Sequence, residues 1–195
     1  MTATIQRPGV IVLPTVPGGF RVVYADPAWR FAAFSEKGLS KSPQAHYDCM
    51  PLDAIKAMPV ADVCAKDAAL FMWATWPMLP QALEVMADWG FTYKTGASWG
   101  KLSSTGAKLA FGTGYIFRSA SEPLLVGTRG KPKWPNHSER GHWNAPIREH
   151  SRKPDAVIEA IERMCAGPRL ELNARQRRPG WTSWGNQIDH FAEAA

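Results

Sequence analysis

Apolar positions along this chain follow two rhythms, and the rhythms alternate. Residues 1–19 carry Pro8, Pro14, Pro17 and the Gly18-Gly19 pair, and read as an irregular lead-in. Val22-Val23-Tyr24-Ala25 then predicts a strand over 20–25. Leu52, Ile55 and Met58 stand near helical spacing, which predicts a short helix in 51–58. "AALFMWAT" (68–75) is an unbroken apolar run of strand length. Leu79, Leu83, Met86 and Trp89 share one face of a helix over 78–90, with Pro80 in its first turn and Gly90 at its stop. Strands follow at 91–99, 114–117 ("GYIF") and 123–128. Val157, Ile161 and Met164 or Cys165 mark a helix over 153–165, again with Pro154 near the start. Leu170 and Leu172 alternate in a strand over 168–174, and a last short strand near "WTSWG" leads into Asn186-Gln187. Residues 30–50 and 129–144 show no period and read as long loops of the kind used for lids and binding. Strands that alternate with helices predict an α/β fold on a mostly parallel sheet, with antiparallel pairing around 114–128. No linker divides the chain, so 1–195 reads as one domain.

Composition narrows this picture. The net charge of +6 suits a polyanionic partner, and nine tryptophans exceed what packing needs in a chain of this size. Aromatic faces with positive charge are the composition of a protein that stacks on bases. Cys49, Cys64 and Cys165 stand far apart, without a C-x-x-C pair, which argues against zinc or a disulfide framework and for a reducing compartment. No apolar run approaches the roughly 20 residues of a spanning helix, and the N-terminus lacks a signal-peptide pattern, so the expectation is a cytoplasmic protein without a membrane.

Three stretches carry candidate chemistry. In "RVVYADPAWRF" a buried strand ends on Asp26-Pro27-Ala28-Trp29, where α/β proteins place their sites. An ionised Asp26 accepts hydrogen bonds only, and the Pro27 carbonyl is a second acceptor beside it. Together they suit an –NH2 group, with Trp29 as a flat wall. The competing reading is a plain Asp-Pro turn over a packed tryptophan. In "LELNARQRRPGWTSWGNQ" (170–187), Glu171 sits inside a strand pattern. It suits a ribose diol, or else a solvent-facing position on a half-exposed sheet. Arg175, Arg177 and Arg178 suit phosphate or carboxylate contact, or a solvated run. Lys153 precedes a helix N-terminus, where the dipole disfavours a cation, which points to an anionic neighbour or to water. "FGTGY" (111–115) lacks the third glycine and the helix of a dinucleotide loop and reads as a turn or binding loop. His137, Glu139 and His142 match no metal-ligand spacing, and no metal site is expected.

Taken together, these stretches resemble the MT-A70 family of adenine N6-methyltransferases. "ADPAW" resembles its Asp-Pro-Pro-Trp signature, residues 112–132 its middle segment and residues 150–187 its C-terminal segment. The resemblance covers most of 20–190 and is closest to compact bacterial and phage members. It implies a Rossmann-like class I methyltransferase fold, with a seven-stranded sheet, one antiparallel strand and helices on both faces. It implies S-adenosylmethionine as cofactor, with Asp26, Pro27, Ala28 and Trp29 as the catalytic tetrapeptide. Asp26, Lys153, Glu171, Asn173, Arg175, Asn186 and Gln187 are then the cofactor candidates. His46, Tyr47 and Glu122, with Lys131, Lys133 and Arg140 of the basic loop, are the candidate contacts to nucleic acid. One departure stands out: Ala28 replaces the second proline, which loosens the turn but keeps the acceptors. DNA is expected ahead of RNA as substrate, and a homodimer is left open. The alternative class is a catalytically silent nucleic-acid-binding subunit, since fold does not fix function. A nicotinamide enzyme is excluded for want of the glycine fingerprint.

Overall fold

The computed structural model describes residues 11–29, 50–112, 114, 116–149 and 151–191. Most of the 30–50 loop, with His46 and Tyr47, lies outside them, as do residues 1–10 of the lead-in. Seven strands form one sheet: β1 (Phe20–Ala25), β2 (Cys64–Trp73), β3 (Thr92–Leu102), β4 (Ser121–Arg129), β5 (His142–Pro146), β6 (Arg169–Leu172) and β7 (Trp181–Trp184). Their spatial order is β5-β3-β4-β2-β1-β6-β7. β4 runs antiparallel to both of its neighbours, and every other pairing is parallel. The helices are α1 (Leu52–Lys56), α2 (Val60–Val63), α3 (Leu79–Asp88) and α4 (Asp155–Met164). This is the Rossmann-like arrangement the pattern and the resemblance implied, with one antiparallel strand of seven.

Both faces of the central strands are covered, which is why their sequences are continuously apolar rather than alternating with polar residues. In β2, Ala68, Leu70 and Met72 enter one core with Ile55, Val60, Val85 and Met86 from α1 to α3. Ala69, Phe71 and Trp73 enter the other with Val157, Ile158 and Ile161 of α4. The tryptophans explain themselves here. Trp29, Trp73, Trp89, Trp99 and Trp181 are at most 9% exposed. Each donates its indole N–H: to the Trp73 carbonyl, the Tyr24 hydroxyl, the Ile55 carbonyl, the Ala145 carbonyl and the Glu162 carboxylate respectively. A buried indole is stable only with such a partner. The surplus of tryptophan is therefore largely packing, and base stacking does not account for it.

Three expectations are corrected. "GYIF" is not a strand: Gly114, Ile116 and Phe117 lie in an irregular loop between β3 and β4, and Tyr115 lies outside the described residues. The reason is that neither β3 nor β4 has an edge to offer, since each is already paired on both sides. The 129–144 loop ends early, because His142–Pro146 pairs with β3 as an edge strand. Its polar His142 and Asn144 hid it, as polar residues commonly do on edges. The short α2 was not expected either. No helix among the described residues is long and apolar enough to cross a membrane.

Candidate active site

β1, β2, β3 and β6 are parallel, so their C-terminal ends share one edge of the sheet, and the acids gather there. Asp26 follows β1 directly, and its amide donates to the Leu172 carbonyl at the end of β6 (3.4 Å). The Pro27 carbonyl accepts the Trp29 amide at 2.8 Å, and the Ala28 carbonyl accepts the Met50 amide at 3.1 Å. Trp29 is 4% exposed, in the core under α1. This corrects the expectation of a ring open to a base: with its faces packed and its N–H on the Trp73 carbonyl, Trp29 anchors the turn. The tetrapeptide thus joins a packed tryptophan to the half-buried Asp26 carboxylate, with Pro27 buried between them and the Trp29 amide on its carbonyl.

Lys153 reaches this turn from the segment before α4. Its Nζ lies 2.8 Å from Asp26 Oδ2 and 3.3 Å from Glu122 Oε2, and it also donates to the Ser151 hydroxyl at 3.3 Å. Lys101, at the end of β3, pairs with the other Glu122 oxygen. Two carboxylates and two ammonium groups thus balance within one small cluster. Burial alone would strip the charge from Lys153, but Asp26 and Glu122 outweigh it and hold the ammonium protonated. Burial raises the Asp26 carboxyl above its ordinary range, against the pull of Lys153. Glu122 is pushed up by burial too, yet its two lysines prevail and its net shift is downward. The anion expected near Lys153 is therefore Asp26 with Glu122, which also explains a cation at a helix N-terminus.

Beside this cluster opens a cavity of about 330 Å³, lined by Asp26, Ala28, Met50, Ser151, Asn173, Arg175, Trp184, Gly185, Asn186 and Gln187. Five of the seven cofactor candidates line it. Lys153 and Glu171 do not: Lys153 is held by Asp26 and Glu122, and Glu171 lies in β6 two residues before Asn173. Glu171 is 7% exposed and is the sole buried charged residue among those described. The solvent-facing alternative is thereby overturned. Its Oε2 is buried without a hydrogen-bond partner, with the Arg178 guanidinium 3.7 Å away, and burial pushes its carboxyl up to about 7. Asn173 Oδ1 is likewise buried without a partner. Unsatisfied buried acceptors are costly and point to an absent donor. Ser151 (φ 61°) and Asn173 (φ 58°), the two non-glycine residues at positive φ among those described, both line the cavity. Such strain is kept where it serves a site.

Met50, Ser151, Trp184 and Gly185 were not expected in the site, and neither was Lys101 as the partner of Glu122. Gly185 had a readable signal, as a glycine after a strand. A Cβ there would lie 2.7 Å from the Ala174 carbonyl oxygen and 2.9 Å from its nitrogen. The basic loop stands elsewhere. β4 is antiparallel, so it leaves the sheet at the edge opposite Asp26, and the Lys131 amide is fastened there to Asp67. Lys131, Lys133 and Arg140 are exposed, but the structure does not bring Lys131 to the Asp26 edge. Trp134 of the same loop packs against Phe71, and Glu139 pairs with Arg163. Arg177 forms an exposed pair with Asp189, whereas Arg178 bridges Asp155 and Glu171.

Comparison with known proteins agrees with this geometry. The chain matches MT-A70 over residues 20–187. It is 30% identical to the "Type II methyltransferase M.MunI" of Mycoplasma sp, across 91% of this chain and 82% of that protein. It is also 30% identical to an "N(6)-adenosine-methyltransferase MT-A70-like" protein of Arabidopsis thaliana, and 28% identical to the "N(6)-adenosine-methyltransferase catalytic subunit METTL3" of Homo sapiens. The chain spans only 24% and 29% of the length of those two. A strand that ends on an aspartate, a lysine-neutralised carboxylate and a cavity with the unsatisfied Asn173 oxygen in its lining thus accompany a match across most of the chain, which belongs to the MT-A70 family of S-adenosylmethionine-dependent adenine N6-methyltransferases.

Proposed function

We propose that this protein transfers a methyl group from S-adenosylmethionine to the exocyclic N6 amine of adenine in DNA, and that the chain acts as one catalytic unit. The observation that carries this reading is the cavity at the Asp26 edge, where a charge-balanced carboxylate adjoins buried acceptors without donors. Asn173, Arg175, Asn186 and Gln187 would hold the cofactor, with Glu171 Oε2 turned to its ribose diol. When bound, the cofactor supplies an electrophilic methyl on a sulfonium.

The chain's own residues then act on the amine. Its lone pair is delocalised into the ring, so it is a poor nucleophile. Asp26 and the Pro27 carbonyl each accept one N–H; the carbonyl retains a second lone pair after the Trp29 amide has used one. This holds the nitrogen with its lone pair toward the cavity. Orientation of two bound reactants can contribute roughly 7 kcal/mol or more in good cases. Methylation leaves one proton to remove, and Asp26, with its carboxyl raised by burial, is placed to take it. Lys153 stays charged throughout and keeps Asp26 ionised between turnovers.

DNA is favoured because the chain nearly spans the type II methyltransferase it resembles, while it spans about a quarter of the relatives named for adenosine. Cys64 and Cys165 are free thiols, which suits a reducing cytoplasm. Incubating the protein and the cofactor with DNA and with RNA, then quantifying methylated nucleosides by mass spectrometry, tests the reading. N6-methyldeoxyadenosine is expected. Methylation of RNA alone would reassign the substrate, and no methylation of either with a folded, cofactor-binding sample would make the chain a silent subunit.

A further inference from the structure

The loop between β3 and β4 holds four large apolar side chains in solvent: Leu109 (64% exposed), Phe111 (82%), Ile116 (79%) and Phe117 (86%). Exposure of that kind, concentrated in one short segment, marks an interaction site. The loop is also pinned. The Lys101 amide donates to the Ala120 carbonyl and the Ala110 amide to the Lys101 carbonyl, both at 2.8 Å. The Gly112 amide donates to the Ser119 carbonyl at 3.0 Å, which closes the tip. A Cβ on Gly112 would lie 2.5 Å from the Ser119 oxygen, and one on Gly114 would overlap the Phe117 carbonyl, so both glycines are needed for the fold of the tip.

Its position and charge say what it meets. β3 ends and β4 begins at the Asp26 edge, and the loop returns to the sheet through Glu122, whose Oε2 shares the Lys153 ammonium with Asp26 (3.3 and 2.8 Å). The loop that carries the apolar tip therefore leaves the sheet at the same edge as the site. Between Lys101 and Ala120 the chain has three cations, Lys101, Lys108 and Arg118, and no acid. Arg118 also stacks over Phe111, 5.3 Å from the ring centre. Two copies of such a loop would repel one another, whereas a polyanion would be attracted. An adenine inside a duplex must leave the stack before its amine can reach Asp26, and the gap it leaves exposes apolar base faces. Apolar side chains are known to enter base steps in this way.

We propose that Ile116 and Phe117 form a wedge that enters the duplex where the target adenine leaves it, with Lys108 and Arg118 on the flanking phosphates. This rests on the proposed nucleic-acid substrate. The wedge is not needed for an adenine that is already unstacked. The test compares wild type with Ile116→Ser/Phe117→Ser on the same unmethylated DNA, native and heat-denatured, with a labelled methyl donor. Both side chains are exposed, so the variant should melt like wild type. Methylation of native DNA is expected to fall at least about tenfold, the scale of losing help with unstacking, while that of denatured DNA stays within about twofold. Phe117→Leu should retain most of the activity on native DNA. Equal loss on both substrates, or no loss on either, would overturn the wedge; equal loss with a fall from dimer to monomer in sedimentation would assign the patch to a second copy. A duplex carrying 2-aminopurine in place of adenine separates the two proposals. Its fluorescence should rise with wild type and not with the variant, whether or not methyl transfer occurs. No rise with wild type would sink the wedge while leaving the methyltransferase reading intact.

Discussion

Asp26 and Glu171 close adjacent parallel strands, and the fold treats them in opposite ways. Asp26 is 24% exposed and already neutralised by an ammonium 2.8 Å away. Glu171 is buried, its guanidinium neighbour is 3.7 Å off, and one of its oxygens has no donor. The first carboxylate is neutralised within the protein, and the second is left short of a donor. Under the function proposed above, the charge used for chemistry is balanced in advance, while the charge used for binding waits for the cofactor. A complete catalytic group costs no reorganisation during the reaction. An incomplete one gives the ligand a reason to bind, because binding relieves a burial penalty.

Breaking the complete half should have the largest effect. Asp26→Asn keeps the shape and one acceptor but removes the charge, and charge-assisted hydrogen bonds are roughly twice as strong as neutral ones. Single-turnover methyl transfer should fall by about 10²-fold or more, while calorimetric affinity for the cofactor changes little. Full activity would mean that the charge on Asp26 is not used. Breaking the incomplete half should show in binding instead. Glu171→Ala should weaken cofactor binding by about 1–3 kcal/mol, and unchanged affinity in calorimetry would remove Glu171 from the site. Gly185→Ala attacks the cavity between them. The added methyl would press on the Ala174 backbone and displace Asn186 and Gln187. Affinity should fall by roughly tenfold, a cost of about 1.4 kcal/mol, with secondary structure unchanged by circular dichroism.

A finer distinction comes from pH. The folded Glu171 carboxyl is raised from 4.5 to about 7, so the folded state without ligand holds a proton that the unfolded state has lost. Its contribution is therefore present below pH 4.5, and stability declines as pH rises toward 7, by an amount on the order of 3 kcal/mol. A ribose diol donating to the carboxylate reverses the preference. Cofactor affinity should strengthen as pH rises through about 7, with release of a fraction of a proton. Calorimetry near pH 6.5 in buffers of different ionisation enthalpy would measure it, and Glu171→Gln should abolish it. The smallest effect is expected from Ala28→Pro. The Ala28 carbonyl bond to Met50 does not need a free Ala28 amide, and proline only stiffens the turn. Activity within about twofold of wild type, or slightly above it, is consistent with a turn already held by Trp29; a large loss would show that the looser turn is required.

What the sequence could and could not determine follows from the range of the forces involved. Continuous apolar runs in 20–25 and 68–75 and the helical faces of 78–90 and 153–165 were legible because burial on a sheet or a helix imposes a local period. The Asp26 turn was legible because strand ends in α/β sheets lie at one edge. Lys153 was legible only as a cation in the wrong place. That its anion is Asp26, 127 positions away along the chain, is a fact of topology. So is the fate of Trp29, whose packing depends on which residues fold beneath it, and that of the basic loop, which the reversed direction of β4 carries to the far edge. β5 is not legible because an edge strand needs no apolar period, and "GYIF" has strand composition but no free edge to join. The alternation of elements and the acids near the strand ends are thus written in local burial and backbone preference. Which charges neutralise one another, and which acceptor is left unsatisfied, depends on distances that the sheet order sets.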